Sequence, residues 1–260
     1  MKTHITSFFW QLSNKATPLL RLVDENGKEE YAKLSRNTNI EILEDYGKKC
    51  TGYYENNGFH NCPENNEIIR GIRCAVCEGR SQFTACARCT GKECRGSTEA
   101  RKNCLEKTHF LYLTIIGDKL KVGVTKAGRY LKRWVEQGSD YACIIDSGTG
   151  KEVRMKEHEL AKEISDRVRN TEKIRLFTKD NMQMLQTYLE NKGLNAPIIN
   201  VRKYYEGLDS IPKTPLNYSG LLKGRIVCVK GKIIIFEREQ EYYYYDVNNL
   251  LAHEVKMRIS

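Results

Sequence analysis

Long apolar runs are missing from this sequence. No apolar stretch approaches the roughly 20 residues that a membrane-spanning helix needs, and the mean hydropathy is −0.59 with 29% charged residues. The first residues, MKTHITSFFWQLS, lack the long apolar segment and the small-residue cleavage site of a secretory signal. We therefore expect a protein of the cytoplasm with no membrane partner.

Common catalytic motifs are missing as well. The sequence contains no HExxH pair for a zinc protease and no GxSxG nucleophile elbow. The glycines of LKGRIVCVKGK lack the Lys-Ser or Lys-Thr pair and the strand-to-helix context of a phosphate-binding loop. These absences argue against a metalloprotease, an α/β-hydrolase and a P-loop nucleotidase.

Cysteine, by contrast, is abundant. The chain has ten cysteines, which in a reducing compartment are not expected to form disulfides, and their paired spacing favours metal binding. The formal net charge is +10; eight zinc-bound thiolates and two zinc ions would bring it to about +6. A basic chain suits a polyanionic partner, although a lysine-rich solubilising surface would give the same charge.

Eight of the cysteines fall in one glycine-rich segment, residues 49–106: Cys50, Cys62, Cys74, Cys77, Cys86, Cys89, Cys94 and Cys104. The pairs Cys74-x2-Cys77 and Cys86-x2-Cys89 are typical of zinc knuckles, which predicts a central site made of these four thiolates. The other four would then bind a second Zn²⁺. Sequential grouping, with the first four cysteines in one site and the last four in another, is the alternative.

Both predicted metal sites are structural, because four thiolates leave no open position for water. An iron–sulfur cluster is the competing interpretation, and two regular knuckles favour zinc over it. His60 and His109 are additional candidate ligands. Apolar residues are few in this segment, so metal would replace a hydrophobic core there.

Residues 109–166 predict a hairpin, a helix, a strand and a second helix. FLYLTII and LKVGVT are apolar runs of strand length on either side of the turn at 117–119. Helical spacing then predicts a helix from Lys126 to Gln137 that stops at Gly138. The strand YACIID and a strongly charged helix over 151–168 follow.

Glu157 is the most informative single residue of that last helix. It falls in the same stripe as Val153, Leu160 and Ile164, which should face the core. A carboxylate on an inward face is costly to desolvate unless it meets a partner or a metal. The stripe therefore predicts either a structural ion pair with an Arg or Lys, or a metal ligand or acid–base group.

The same segment resembles the GIY-YIG nuclease superfamily. Tyr112 matches the first Tyr, Lys121-Val122-Gly123 the Tyr-Ile-Gly triplet, Arg133 the helical Arg, with Arg129 as competitor, and Glu157 the metal-binding Glu. The resemblance implies a catalytic set of Tyr112, Lys121, Arg133 and Glu157, with Mg²⁺ or Mn²⁺ at the glutamate. Lys121 departs from the pattern, because Lys has no acceptor atom and cannot ligate a cation. It could instead bind phosphate as a point charge.

A wider resemblance covers most of the chain. KVGVT, RWVEQGSDYA, the spacing E-x7-SD from Glu157 to Asp166, and LKGRIVCVKGKIIIF are similar to an uncharacterised family of archaeal and bacterial proteins known only as a domain of unknown function. That resemblance implies a cysteine module like a zinc ribbon, N-terminal to the nuclease-like segment. It implies no particular activity.

The predicted fold class is α+β. We expect a β-rich region at 1–48, the zinc-ribbon-like insert at 49–106, a GIY-YIG-like α/β domain at 107–195 and a second β-rich region at 196–260. The two β-rich ends have similar composition and could combine into one barrel.

Three functions follow from these features. The first is a zinc-containing nucleic-acid-binding protein, acting on DNA or RNA, whose nuclease-like domain has a lapsed catalytic site, as the change to Lys121 suggests. The second is an active divalent-metal-dependent endonuclease, which the inward-facing Glu157 favours. The third is a zinc-dependent protein-interaction adaptor, and the positive charge counts against it.

Overall fold

The computed structural model describes residues 2–13, 15–55, 58–81, 84–212 and 216–260. Its fold is a strand-rich α+β arrangement, as predicted. The chain divides into two compact units, Met1–Ser81 with Tyr205–Ser260 as one and Gln82–Tyr204 as the other. The division falls inside the predicted cysteine module, with four of its cysteines in each unit. In the described part of the chain, no helix has the length and apolar character to cross a membrane.

The described strands are β1 (Lys2–Leu12), β2 (Ala16–Asp24), β3 (Glu29–Lys33), β4 (Asn39–Lys48), β5 (Tyr53–Glu55), β6 (Gly58–His60), β7 (Thr108–Ile116), β8 (Lys119–Lys126), β9 (Tyr141–Thr149), β10 (Ile199–Asn200), β11 (Asn217–Tyr218), β12 (Lys223–Lys230), β13 (Ile233–Arg238), β14 (Glu241–Asp246) and β15 (His253–Ile259). The described α-helices are α1 (Ala75–Arg80), α2 (Thr98–Glu106), α3 (Tyr130–Gln137), α4 (Gly150–Leu160), α5 (Asn170–Arg175) and α6 (Met182–Asn191).

The first unit is built on a nine-stranded sheet in the order β11-β14-β13-β12-β4-β15-β1-β2-β3. The two β-rich ends of the chain do combine, because β15 pairs antiparallel with both β1 and β4. In the described residues no pairing joins the edge strands β11 and β3, so the sheet is open and does not close into the barrel we considered. Trp10 anchors its core, with the indole Nε1 donating to Gly231 O at 2.9 Å.

The second unit contains a four-stranded sheet in the order β10-β9-β7-β8, with β8 at an edge. The predicted hairpin is confirmed, since β7 and β8 pair antiparallel around the turn at Gly117. One face of the sheet carries Leu111 and Leu113, which pack with Val153 of α4 and Leu185 of α6 in the core. Because side chains alternate along a strand, Tyr112 lies on the opposite face, against Trp134 of α3.

Two helix boundaries differ from the sequence prediction. The helix α3 ends at Gln137 as expected, with Gly138 in the left-handed region at φ 76°, but a 3-10 turn precedes it and it begins at Tyr130. The helix α4 ends at Leu160 rather than at residue 168. The chain beyond α4 turns so that Ser165 O accepts from Val122 N at 3.1 Å. That bond satisfies an edge group of β8, which competes with further helical bonds.

Candidate functional site

Four cysteines of the first unit converge on one point. The Sγ atoms of Cys50, Cys62, Cys74 and Cys77 all lie within 4.8 Å of one another. Zn–S bonds of about 2.3 Å in a tetrahedron require sulfurs about 3.8 Å apart, so this spacing fits a metal ion such as zinc. Cys50 and Cys77 are buried, which keeps competing water away from half of the ligand set.

The backbone around these sulfurs is arranged for thiolates. Cys50 Sγ accepts from Gly52 N at 3.4 Å and from Cys74 N at 3.2 Å. A backbone hydrogen bond at Cys77 is the main cause that lowers the pKa of Cys74 to about 6, whereas burial raises the pKa of Cys77 and of Cys50. Thiolate, not thiol, is the metal-binding form, and amide donors favour it.

This grouping corrects the preferred prediction. We expected Cys74 and Cys77 to share a site with Cys86 and Cys89, and the structure instead joins them to Cys50 and Cys62, as in the sequential alternative. Spacing alone could not distinguish the two groupings of the cysteines, because each grouping contains a regular Cys-x2-Cys knuckle. His60 is exposed and stacks on Tyr53 with ring centroids 5.1 Å apart, so it is not part of the cluster.

The other four cysteines lie in the second unit, where they line one cavity: Cys86, Cys89, Cys94 and Cys104. Their sulfurs are spread more widely than those of the first set, since among the described residues only the first set meets the 4.8 Å spacing. His109, the other candidate ligand, is buried, with Nδ1 2.7 Å from Lys107 O.

The four residues that carry the nuclease resemblance are brought together around β8. Tyr112 of β7 is opposite Gly123 in register, and Thr114 is opposite Lys121, so Tyr112 and Lys121 share one face of the sheet. Lys121 Nζ lies 5.9 Å from the centroid of the Tyr112 ring. Both side chains are buried, Tyr112 completely and Lys121 with 8% of its surface exposed.

Gln137 links Tyr112 to Arg133. With its amide oriented to satisfy both neighbours, Gln137 Oε1 accepts from Arg133 Nε at 3.0 Å and from Nη2 at 3.2 Å, and Nε2 donates to Tyr112 Oη at 3.0 Å. Arg133 itself is exposed. The competitor, Arg129, makes an ion pair with Glu136 at 3.4 Å instead. Of the two arginines, only Arg133 shares this network with Tyr112.

Lys121 occupies an unfavourable place for a cation. Burial lowers the pKa of Lys121 to about 8, and Arg133 adds to that effect, whereas Glu157 and Asp166 oppose it. Its Nζ donates to Val122 O at 2.9 Å. The ammonium therefore lies at the open edge of β8, hydrogen-bonded to a carbonyl and within electrostatic range of two carboxylates and one guanidinium.

Glu157 reaches the same edge from α4. It is half-buried, and burial raises the pKa of Glu157 although Arg154 and Lys121 act to lower it. A backbone hydrogen bond at Val124 also favours its charged form, and Asp166 opposes it. The stripe that predicted a partnered carboxylate was informative, since Arg154, Lys121 and the β8 backbone are its neighbours.

The cavity that the second cysteine set lines has a volume of about 380 Å³ and opens beside this network. Five basic residues line it, and we call it the basic cavity: Arg95, Lys126, Arg129, Arg133 and Arg154. No acidic residue belongs to its lining in the described part of the chain. Arg95, Arg129 and Arg133 are exposed, whereas Lys126 and Arg154 are half-buried. The arrangement is suited to an anionic ligand.

The sequence did not point to three residues that lie next to Arg133, Lys121 and Glu157 in the structure. Gln137 follows Arg133 by four residues on α3, a spacing that brings helical side chains together, and that signal was available. Arg154 lies three residues before Glu157 on α4, with the same kind of signal. Asp166 was part of the E-x7-SD spacing, but its approach to Glu157 and Lys121 depends on the turn after α4, which spacing did not indicate.

Comparison with known proteins assigns the family. A family described as "Protein of unknown function (DUF2797)" matches residues 47–255, and the chain belongs to that family. No curated protein and no solved structure matches the chain. The family range includes both cysteine sets, the hairpin β7–β8 and helix α4.

Proposed function

For this member of the DUF2797 family we propose a zinc-containing protein that binds DNA or RNA through the phosphate backbone, at the basic cavity. The observation that carries the proposal is the cavity lining, with five basic side chains and no acidic one among the described residues. Phosphate oxygens are the main contact of proteins that bind nucleic acid without reading base sequence. The net charge of +10 favours the same class of partner.

Arg133 is the central contact in this proposal. Its guanidinium is exposed, and Gln137 fixes its direction through two hydrogen bonds of 3.0 and 3.2 Å. A guanidinium held in this way can donate two parallel hydrogen bonds to a phosphate. Arg129 and Lys126, which line the same cavity, would add less directional charge contacts.

The burial of Tyr112 and Lys121 favours nucleic-acid binding over cleavage as the function of this site. The exposed members of the site are arginines, whereas Tyr112 and Lys121, which the nuclease resemblance would place at the reacting water or phosphate, are buried. A group must reach the proton or atom that it acts on, within about 3 Å or through one water. This supports a GIY-YIG-like domain that has kept its phosphate-binding arginine and lapsed in catalysis.

Labelled single- and double-stranded DNA and RNA test the binding proposal. We expect Arg133→Gln and Lys126→Gln each to weaken binding by about tenfold and to reduce the slope of log affinity against log salt by about one. Lys162→Gln is the matched control, because that exposed lysine pairs with Glu159 outside the cavity lining. Equal affinity of all three variants and wild type would remove the cavity from the binding surface.

Cleavage is the second candidate function, and one observation favours it. Asp166 lies close enough to Glu157 for its negative charge to help raise the pKa of Glu157. Neighbouring carboxylates are the ligands that Mg²⁺ and Mn²⁺ prefer. Glu157, aided by Asp166, would hold such an ion, which would stabilise the charge that develops on phosphate.

In that reaction the chain's own residues have separate tasks. Arg133 would offset negative charge on the phosphate. Tyr112 would act through Gln137 to position Arg133, because its own hydroxyl is buried against Gln137 Nε2. Lys121 would provide a point charge at the edge of β8. The task of Lys121 requires a modest opening of the site toward substrate, because its side chain is buried.

Glu157→Ala separates the two functions. The matched control is Glu159→Ala, an exposed carboxylate on the same helix that pairs with Lys162. If the protein only binds, Glu157→Ala retains or gains affinity, since a negative charge leaves the site, and neither protein cleaves with Mg²⁺ or Mn²⁺. If it is a nuclease, wild type and Glu159→Ala cleave and Glu157→Ala does not. Absence of both binding and cleavage would leave the adaptor function.

A further inference from the structure

The second cysteine set shares a local geometry with the first. Each contains a Cys-Thr-Gly sequence, at 50–52 and at 89–91. In both, the glycine N–H donates to the sulfur two residues earlier at 3.4 Å, from Gly52 to Cys50 and from Gly91 to Cys89. Both glycines have positive φ, 93° and 85°. Such amide–sulfur bonds orient a thiolate and lower the cost of its charge, which is what a metal ligand needs.

The remaining sulfurs of this set face the same space. A 3-10 turn over Ala85–Arg88 closes the Cys86-x2-Cys89 knuckle, with Cys89 N donating to Cys86 O at 3.3 Å. A Cβ on Gly96 would lie 3.4 Å from Cys86 Sγ and 3.8 Å from Cys94 Sγ, so the glycine leaves room between these two sulfurs. Cys104 lines the cavity from α2.

Little apolar packing holds the segment that carries these cysteines. Among the described residues of 84–106, Ala100 is the only buried hydrophobic side chain. Small modules with so few buried apolar residues gain much of their stability from metals or disulfides. All four cysteines here are free thiols, which favours a metal over disulfides as the source of that stability.

We propose that Cys86, Cys89, Cys94 and Cys104 form a second tetrathiolate zinc site. It would be structural, because four sulfur ligands fill a tetrahedron. The ion would draw the sulfurs to the spacing of about 3.8 Å that Zn–S bonds require. These four cysteines line the basic cavity itself, so the zinc ion would lie in its wall. The metal content of the protein nevertheless tests this site whether or not the cavity binds nucleic acid.

The second site is joined to the helix that carries Glu157. Arg154 Nη1 donates to Cys89 O at 3.2 Å. A Cβ on Gly91 would lie 2.7 Å from Lys151 O, and one on Gly150 would lie 2.6 Å from Cys104 Sγ, so both glycines allow close approach of the cysteine segment to α4. Zinc at this site would therefore fix the position of α4 and of Arg154 in the wall of the basic cavity.

Metal content of the full-length protein tests the proposal. We expect two zinc ions per wild-type chain, one in Cys94→Ser/Cys104→Ser and one in Cys62→Ser/Cys74→Ser. Cys143→Ala is the matched control, a buried core cysteine outside both sets, and it should retain both ions. One ion in wild type, removed by the Cys62/Cys74 pair and unaffected by the Cys94/Cys104 pair, would overturn the second site.

Two measurements on wild type remain decisive if a double variant does not fold. X-ray absorption at the zinc edge should give four sulfur neighbours per zinc, averaged over both ions; a lower sulfur count would overturn the tetrathiolate assignment. Iron content with visible charge-transfer bands would overturn the choice of zinc. In hydrogen exchange, the folded Cys94→Ser/Cys104→Ser chain should lose protection in 84–106 and 150–160, while the Cys62→Ser/Cys74→Ser chain keeps it.

Discussion

The ring of Tyr112 lies directly over Gly123. A Cβ at Gly123 would be 2.4 Å from the Tyr112 hydroxyl oxygen and 2.5 Å from Cζ. The two residues are paired across the β7–β8 hairpin, and the φ of Gly123 is not in the left-handed region. Glycine is therefore required at this position for space and not for backbone conformation, and it lets the ring cover the strand that carries Lys121.

Gly123→Ala should displace that ring. Overpacking of a filled core costs about 1–3 kcal/mol, so we expect a loss of that size in urea unfolding and a change in Tyr112 and Trp134 fluorescence. Gly128→Ala is the control, because no atom lies within 4 Å of its added Cβ and its φ is ordinary. Equal stability of the two variants would mean that the ring does not occupy this position.

Gln137 gives a second test of the same network. Gln137→Ala leaves Tyr112 Oη buried without the amide that it faces and releases Arg133 from its two hydrogen bonds. Because Arg133 also hydrogen-bonds the Tyr112 hydroxyl, the loss is that of one buried hydrogen bond, about 0.5–1.5 kcal/mol, and nucleic-acid affinity should fall as well because Arg133 loses its fixed direction. Calorimetry and a binding titration on one preparation measure both effects.

The control for Gln137 is Gln186, an exposed glutamine that pairs with Glu190 on α6. Gln186→Ala should change neither stability by more than about 0.5 kcal/mol nor affinity. If Gln137→Ala lowers stability and leaves affinity unchanged, Gln137 is only a structural residue and Arg133 does not depend on it for binding.

The strands and the β7–β8 hairpin could be predicted from the sequence, because the patterns that indicate them are local. Alternating and continuous apolar runs gave β7, β8 and the strands of the terminal regions, and Gly138 marked the end of α3. The end of α4 could not be predicted from the sequence, because Ile164 keeps the helical apolar spacing. In the structure Ile164 lies in a turn after the helix, where Ser165 O accepts a hydrogen bond from Val122 N. That competition depends on β8 being an edge strand, which no local pattern states.

The sequence indicated candidate residues of the sites but not how those residues come together in the folded chain. The four clustered cysteines, Cys50, Cys62, Cys74 and Cys77, were among those that spacing indicated, and the inward direction of Glu157 followed from periodicity. The pairing of the cysteines did not, because the chain division near residue 81 separates two knuckles that look equivalent along the sequence. The closeness of Asp166 to Lys121 likewise arises from tertiary structure, through the turn after α4.

Lys121 predicts a pH dependence of stability. Its pKa of about 8 in the folded chain lies below its ordinary value of 10.5. Between these values the unfolded chain holds a proton that the folded chain has released, so the contribution of Lys121 to stability rises with pH across that window. Below about pH 8 the buried charge is unfavourable, by roughly 3 kcal/mol for a depression of this size.

Lys121→Met should therefore be more stable than wild type at pH 7, and the difference should shrink as the pH approaches 10. Urea unfolding at several pH values measures it, and the difference between the two proteins removes the titration of groups they share. Lys119→Met, an exposed position on the same strand, should show no such trend. A difference that does not vary from pH 7 to 10 would contradict burial of a charged Lys121.

Metal removal should unfold a defined part of the first unit. Cys62→Ser or Cys74→Ser, or a chelator, takes away a ligand set that joins residues 50–77. Because metal binding and local folding are coupled, we expect a stability loss on the order of several kcal/mol and fast amide exchange in 49–81. The strands β12 and β13 should keep their protection. Unchanged exchange in 49–81 after the metal has left would show that the cluster is not structural.

Arg202 and Asp140 form a largely buried ion pair in the second unit. The Asp140 side chain has no exposed surface, and its Oδ1 lies 2.7 Å from Arg202 Nη1. Its Oδ2 accepts from Gly117 N at 2.7 Å and so holds the turn of the β7–β8 hairpin. Removing one partner of a buried pair costs about 3–5 kcal/mol, since the other charge stays buried.

Arg202→Met should therefore destabilise the protein by about 3 kcal/mol, at the lower end of that range because the Gly117 N–H still donates to Asp140. Arg167→Met, which removes a guanidinium with 81% of its side-chain surface exposed, should change stability by less than about 0.5 kcal/mol. Adding Asp140→Asn to Arg202→Met should recover part of the loss, because the uncompensated charge is then gone. If the double variant is no more stable than Arg202→Met alone, the loss of stability comes from packing around Arg202 and not from the uncompensated charge of Asp140.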